Sequence, residues 1–217
     1  MAYRKSRYTL ALALLSALAA PFLTAQELKP IALPPPRTEG GKPLMRALNA
    51  RQSTRVFGSE KLSQQTLANL LWAADGINRP DGRRTAPSAN NRQEIDIYVA
   101  TSAGAYVYDA KGNTLKPVAA GDLRAATGPQ DFVRSVPVNL IYVADFERMG
   151  NTPEEEKVFY SAADAGFIGQ NVYLYCASEG LGAVVRGTID RPALAKALKL
   201  RPGQRILLAH SVGYPKR

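Results

Sequence analysis

One stretch limits what this chain can fold into more than any other: residues 152–187, TPEEEKVFYSAADAGFIGQNVYLYCASEGLGAVVRG. It opens with an S/T-x-x-E pattern, Thr152 at the expected N-cap, Pro153 at the first helical position and Glu155 three residues after the cap. Glu154, Glu155 and Glu156 place negative charge at the positive end of the helix dipole. No proline follows until Pro192, and Gly180 is a natural stop. The spacing therefore predicts a helix over 153–179, about 40 Å long at ~1.5 Å per residue. Beyond Lys157 it is apolar on nearly every side (Val158, Phe159, Phe167, Ile168, Val172, Leu174, Cys176), the composition of a buried helix. Ala162, Ala163, Ala165, Gly166 and Gly169 leave room for another backbone to come close, and each helical glycine costs up to ~1 kcal/mol relative to alanine. Ser161, Asp164, Gln170 and Asn171, spread along it, argue against a membrane span.

The chain has 217 residues, enough for one domain with a substantial core. Residues 1–25 read as a Sec-type signal peptide: Arg4, Lys5 and Arg7 form a basic head, 10–20 an apolar core too short to span comfortably, and Ala25 a cleavage point before Gln26. Export to the periplasm or beyond is the expectation, and Arg4-Lys5 is not a twin-arginine signal. Residues 26–42, with Pro30, Pro34, Pro35, Pro36, Gly40 and Gly41, read as an extended, polyproline-like leader lying on a surface rather than as packed secondary structure. The formal charge is +10, and removing Arg4, Lys5 and Arg7 leaves +7. That excess favours anionic ligands, yet no basic run interleaved with aromatics suggests a nucleic acid. Cys176 is the one cysteine, so no internal disulfide forms and it reads as a core residue.

Residues 43–217 form the domain. A short helix over 43–50 precedes RQSTRVFG; Ser63 caps a helix running to about Ala74, with Leu67, Leu70, Leu71 and Ala74 on its buried face. From Glu94 the period becomes two, Ile95, Ile97 and Val99 against Asp96 and Tyr98, which is a strand. A hairpin over 104–118 turns at Lys111-Gly112-Asn113; short helical turns fall near 122–127 and 130–135. VNLIYVA, 138–144, is a strand buried on both faces. After the long helix come a short strand or loop over 183–186, a helix over 191–198 and a last strand over 205–213. This is one α+β domain without repeats.

Three segments carry possible chemistry. Arg51, Ser53 and Arg55 alternate, and two guanidiniums with a hydroxyl suit a phosphate, though arginines solvating a helix end look the same. Pro87-Ser88-Ala89-Asn90-Asn91 would let backbone and an amide meet a flat ring edge; an ordinary turn entering a strand reads no differently. Residues 180–187 present backbone N–H groups with little side-chain bulk, or simply join helix to strand. His210, the one histidine, falls in a core strand and reads as structural. No His/Cys/carboxylate set has metal-ligand spacing, no serine sits in a nucleophile elbow, and no G-x-G-x-x-G follows a strand.

Taken together and in order, RQSTRVF, APSANNRQEIDIYVA and DAGFIGQNVYLYCASEGLGAVVRG resemble the FMN-dependent nitroreductase superfamily, most nearly its azoline-oxidising dehydrogenase branch, over about 43–215. The resemblance implies a three-layer fold, a mostly antiparallel sheet flanked by helices, and a homodimer built on the long helix with FMN at the interface. It implies that Arg51, Gln52, Ser53 and Arg55 hold the FMN phosphate and ribityl chain, and that Pro87, Ser88, Ala89 and Asn91 lie along the isoalloxazine. Val184, Val185, Arg186 and Gly187 would line the flavin, a backbone N–H near Arg186 approaching N5, and Lys216 and Arg217 would close the phosphate site. Substrate-side candidates are Phe132, Arg134, Tyr106 and Tyr108. The function implied is hydride or electron transfer through the flavin, with no acid or base side chain evident. An exported member meets little NAD(P)H, so an envelope electron-transfer partner is expected in its place. The alternative is a protein that binds FMN or another planar anion without turnover.

Overall fold

A computed structural model describes residues 27–216; the signal-peptide reading and Arg217 lie outside the described residues. The strands are β1 (Ile31–Ala32), β2 (Ile95–Ala100), β3 (Gly104–Asp109), β4 (Thr114–Ala120), β5 (Val138–Asp145), β6 (Gly182–Arg186) and β7 (Gln204–Gly213). The helices are α1 (Leu44–Ala50), α2 (Gln64–Asp75), α3 (Glu154–Glu179) and α4 (Arg191–Ala197). All the strands join one sheet in the order β1-β4-β3-β2-β5-β7-β6, with every pairing antiparallel.

The period of two in β5 builds the layers. Leu140 and Tyr142 join Leu70, Leu71, Ile97, Ile168 and Val172 beneath α2 and α3. Ile141 and Val143 point the other way, joining Ile206 with Leu194 and Leu198 at the end of α4. A strand sandwiched like this must be apolar on both faces, and each residue of β5 is buried. The three-layer α+β expectation is met.

Three local expectations differ. Residues 26–42 are not purely an extended leader: Ile31–Ala32 pairs with Leu115 and Thr114 of β4, and Leu33 is buried. Ile31, Ala32 and Leu33 fall between Pro30 and the Pro34–Pro36 run, so they keep the backbone N–H groups needed to cover the sheet edge, and Leu33 N–H donates to the Asn113 carbonyl at 3.0 Å. The capping box at Thr152 is also absent. Pro153 occupies the cap with ψ 145 and no side-chain bond, and the Thr152 hydroxyl instead donates to the Met149 carbonyl at 2.8 Å. The three glutamates still fill the first turn.

The third difference concerns α3. Its inward face is buried through Asp164, Ala165, Ile168, Gly169, Val172 and Cys176, but its outward face is not. Phe159 is 68% exposed, Val158 50% and Phe167 48%, and a Cβ placed on Gly166 would meet nothing within 4 Å. The small residues thus divide, Ala165 and Gly169 inward, Ala162 and Gly166 outward. Gly180, left-handed at φ 73, then turns the chain, and Leu181 N–H closes on the Cys176 carbonyl at 2.8 Å.

Candidate functional site

Residues 51–58 leave α1 in extended form and run beside β6, the last strand of the sheet. Ser53 bridges Ala183 in parallel, and Thr54 N–H donates to the Ala183 carbonyl at 2.8 Å. The approach needs Gly182, where a Cβ would come within 2.7 Å of the Thr54 side chain. On the other side the chain end pairs with the same segment: Phe57 bridges Pro215, and Lys216 N–H donates to the Val56 carbonyl at 3.2 Å.

These docked segments and the last turns of α3 enclose a cleft of about 480 Å³ bordered by Gln52, Ser53, Arg55, Ala183 and Lys216. Lys42 also borders it, its Nζ donating to the Ala177 carbonyl at 2.9 Å. The Arg55 and Lys216 side chains form no hydrogen bond or ion pair among the described residues. Arg51 flanks the cleft with its guanidinium carbon 5.4 Å from the centre of the Tyr173 ring.

No sequence pattern singles out Tyr173, and it organises this site. Its hydroxyl lies 3.0 Å from Ser53 Oγ and accepts from Val185 N–H at 2.9 Å, so one α3 side chain fixes both the 51–55 segment and β6. Nothing local marks it: QNVYLYC has two tyrosines at helical positions, and only the fold brings one of them to the strand edge.

Ala183 and Val185 turn their backbone groups to the free edge of β6, so those of Val184 and Arg186 face β7. The backbone N–H of Arg186 therefore belongs to the ladder, and Gly187, exposed at the strand end, is next in phase with the free edge. The Arg186 side chain does not line the cleft. It is buried, donating to Thr127 carbonyl (2.7 Å), Thr127 Oγ1 (3.2 Å), Gln130 Oε1 (3.3 Å), Asn139 Oδ1 (3.0 Å) and Ser211 Oγ (3.2 Å). A Cβ on Gly128 would lie 2.1 Å from its Nη1, so that glycine makes the seat. Burial without a carboxylate pushes the guanidinium down to about 10.

His210 is fully buried, its Nδ1 2.9 Å from Tyr142 Oη; burial, and then Arg186, push it down to about 3. Burial likewise pushes the Cys176 thiol up, so neither side chain is poised for proton transfer or attack.

The 87–93 loop lies elsewhere, over the first half of α3. Ala89 N–H donates to Asp164 Oδ2 at 2.9 Å, nine residues before Tyr173 and so about 14 Å away along the helix at ~1.5 Å per residue. Asn90, Asn91 and Gln93 all have positive φ (55, 54 and 50), which the surroundings enforce. Gln93 N–H donates to Ser88 Oγ, Gln93 Oε1 accepts from Arg84, and the Gln93 carbonyl accepts from Arg148. Pro87 and Asn91 are exposed, and Asn91 Oδ1 accepts from Gln93 Nε2 at 3.1 Å. None of these residues borders the cleft of the same chain.

Of the substrate-side candidates, Phe132 packs against Phe57 with ring centres 5.7 Å apart, close to the chain end, and Arg134 is exposed opposite Asp131. Tyr106 and Tyr108 are core residues on β3, separated from β6 by three strands. Alternation along a strand marks which side chains share a face; it does not reveal how far across the sheet that strand stands.

Comparison with known proteins identifies this architecture. The nitroreductase family pattern matches residues 48–214, so the chain belongs to the nitroreductase family and is an oxidoreductase of that family. Two relatives described as "putative nitroreductase" are similar over most of their length. That of Ralstonia eutropha JMP134 has a crystal structure with a TM-score of 0.84, at 44% identity over 88% of this chain and 91% of its own. That of Methanocaldococcus jannaschii is 29% identical over 161 residues, 70% of this chain and 81% of its own. The NADPH:FMN oxidoreductase of Vibrio harveyi, solved with NAD+, shares the fold at 21% identity and a TM-score of 0.61, covering 80% of this chain and 67% of its own.

Proposed function

We propose that the protein is an exported, FMN-dependent oxidoreductase that works as a homodimer on a small organic substrate. The observation that carries the reading is the cleft where Ser53 and Arg55 dock beside Ala183. Arg55, two lysines and a serine hydroxyl border a space suited to a phosphate and its attached chain, with Arg51 at its flank over the Tyr173 ring. Arg55, Lys42, Lys216 and Arg51 would hold the phosphate, Ser53 and Gln52 the ribityl hydroxyls, and the free edge of β6 from Val185 to Gly187 would face the ring. FMN, when bound, supplies hydride or electron transfer through N5. The protein's part is to bind, orient and shield; among the bordering residues none is an acid or base poised for proton transfer.

The two motif loops of one chain stand apart along α3, which favours a site completed by two chains. The apolar side chains left exposed are continuous with this arrangement: Leu44, Met45 and Leu48 on α1, Val56 beside the cleft, and Val158, Phe159 and Phe167 on α3. A second copy packed on that face buries them and brings its own residues 87–91 to the cleft. Open space before Gly166 permits close helix contact.

Export follows from the basic head and apolar core of residues 1–25. It argues for an electron partner in the envelope in place of free nicotinamide, and the motif likeness favours the dehydrogenase branch. No helix among the described residues is long and apolar enough to cross a membrane.

The test is the visible spectrum and light-scattering mass of the purified mature protein after FMN is added and excess removed. Retained flavin absorbance on a dimer supports the reading. A colourless protein that cannot be reconstituted overturns it. Retained flavin that no donor reduces leaves a carrier of FMN in its place, and turnover with NADPH at the full rate removes the need for an envelope partner.

A further inference from the structure

Behind the 87–93 loop two carboxyl groups share the interior without a cation. Glu94, between the loop and β2, is fully buried, and Asp164 on α3 is 3% exposed. Glu94 reaches this part of α3 through the loop that Asp164 anchors, and the Ser161 hydroxyl, one turn before Asp164, is turned to Met149 Sδ at 3.4 Å. Asp164 Oδ2 takes Ala89 N–H from the loop. Neither Glu94 oxygen has a donor among the described residues. Arg92, two positions earlier, buries its Nη1 without a partner and forms no ion pair with Glu94.

The other charged groups in this part of the interior, among the described residues, are Asp75 with Arg84, and Asp96 and Asp145 with Arg148, Asp145 also meeting Arg201, so each arginine is already engaged by carboxylates. Two ionised carboxylates side by side in a dry interior would suffer both desolvation and mutual repulsion. A single proton relieves both. As an acid Glu94 becomes a donor to Asp164, and the remaining negative charge is stabilised by Ala89 N–H.

We propose that Glu94 is a neutral carboxylic acid at neutral pH, sharing its proton with Asp164, and that this pair is the clamp that sets the shape of the 87–93 loop. Glu94 and Asp164 are positioning residues, and their bearing on flavin affinity rests on the reading above. Among the described residues, Ala89 N–H to Asp164 is the hydrogen bond that fixes the loop to α3, and an unprotonated pair would push Asp164 away from it. Burial and the Asp164 charge both hold the Glu94 proton on above the usual carboxylate range. The clamp is therefore present at low pH and lost as pH rises through that elevated value.

Infrared difference spectroscopy tests the proton without any cofactor. Wild type minus Glu94→Gln, at neutral pH in H2O and D2O, shows the deuterium-sensitive C=O band of an undissociated acid. Asp164→Asn also removes the band, because its amide donates to Glu94 and lets it ionise, which covers the case in which the first variant does not fold. No deuterium-sensitive acid band in either difference spectrum, wild type minus Glu94→Gln or wild type minus Asp164→Asn, overturns the proposal; a band from Asp75, raised to about 7, cancels in both differences. Hydrogen exchange then reads the clamp: residues 87–93 lose protection in Asp164→Ala but keep it in Glu94→Gln, which retains a donor. Unchanged exchange in Asp164→Ala overturns the clamp. FMN affinity in Asp164→Ala falls about tenfold. If wild type binds no FMN while the acid band and the exchange pattern are as described, the flavin reading fails and the clamp stands. If Asp164→Ala binds FMN as wild type does with its loop equally protected, the clamp fails and the flavin reading stands.

Discussion

Arg186 on β6 and Arg55 on the segment beside that strand differ in everything but charge. Arg186 is buried among neutral acceptors, with its N–H groups taken by Thr127, Gln130, Asn139 and Ser211. Arg55 borders an open cleft, and its guanidinium has no protein partner among the described residues. A guanidinium that is already desolvated and fully bonded gains little by meeting an anion and cannot move to it. One that keeps its hydration and its donors can trade water for phosphate. Both arginines fall within residues 48–214, the stretch that matches the nitroreductase family, so a family match does not by itself say which side chain is free to meet an anion.

The largest effect separating the two belongs to the interior. Arg186→Met leaves the acceptors of Thr127 and Asn139 without donors inside the protein and is expected to lower stability by about 3 kcal/mol. Urea unfolding followed by circular dichroism measures it. An Arg186→Met protein of unchanged stability that no longer binds FMN would reverse the assignment. The double variant Arg51→Ala plus Arg55→Ala should do the opposite. FMN affinity falls roughly 100-fold, two charge-assisted contacts at ~1.5 kcal/mol each, while stability moves by no more than about 0.5 kcal/mol. Flavin fluorescence titration reads the first and urea unfolding the second.

The loop offers the same contrast between buried and open charge, now with a pH dependence. Asp75, at the end of α2, is 6% exposed and paired with Arg84 at 3.1 Å, and Arg84 in turn holds Gln93 of the loop. Burial outweighs Arg84 and raises the Asp75 carboxyl to about 7 from 3.8. A raised carboxyl favours the folded state while protonated. Its contribution is full below pH 3.8 and is lost as pH climbs to about 7. Asp75→Asn has no such loss, because its amide stays neutral throughout. Its melting temperature should therefore gain on wild type between pH 4 and pH 8, by the equivalent of about 4 kcal/mol at most. Parallel curves for the two proteins across that range would show that Arg84 keeps Asp75 ionised.

Much of this was legible in the chain because periodicity reports burial. The two-residue alternation from Ile95, the doubly buried run of β5 and the cap at Ser63 each gave an element where one stands. The exposed face of α3 was not legible: Phe159 and Phe167 are as apolar as core residues, and composition cannot distinguish a core from a surface that another chain would cover. Nor could the segments 51–55 and 87–91 be placed relative to each other, since only the spacing of Asp164 and Tyr173 along α3 separates them. The inward turn of Arg186 depends on Gly128 and on acceptors distant in sequence, which no local pattern announces.

Tyr173 gives the smallest of the expected effects and probes the joint between scaffold and cleft. Its hydroxyl hydrogen-bonds both the 51–55 segment and the free edge of β6. Tyr173→Phe keeps the ring, its contact with Arg51 and its packing against His210, where the ring centres stand 4.6 Å apart. Only two hydrogen bonds are lost, and the site is part-buried, so water can replace one of them. The stability cost should be about 1 kcal/mol. If the hydroxyl does no more than satisfy Val185 N–H, flavin affinity will not change. If it sets the distance between Ser53 and β6, affinity falls about threefold to tenfold, and Ser53→Ala adds little further loss in the Tyr173→Phe background, because both changes cut the same connection. A fully additive loss in the double variant would mean that Ser53 and Tyr173 act on the ligand independently, and that the cleft is held open by the backbone bond from Thr54 to Ala183 alone.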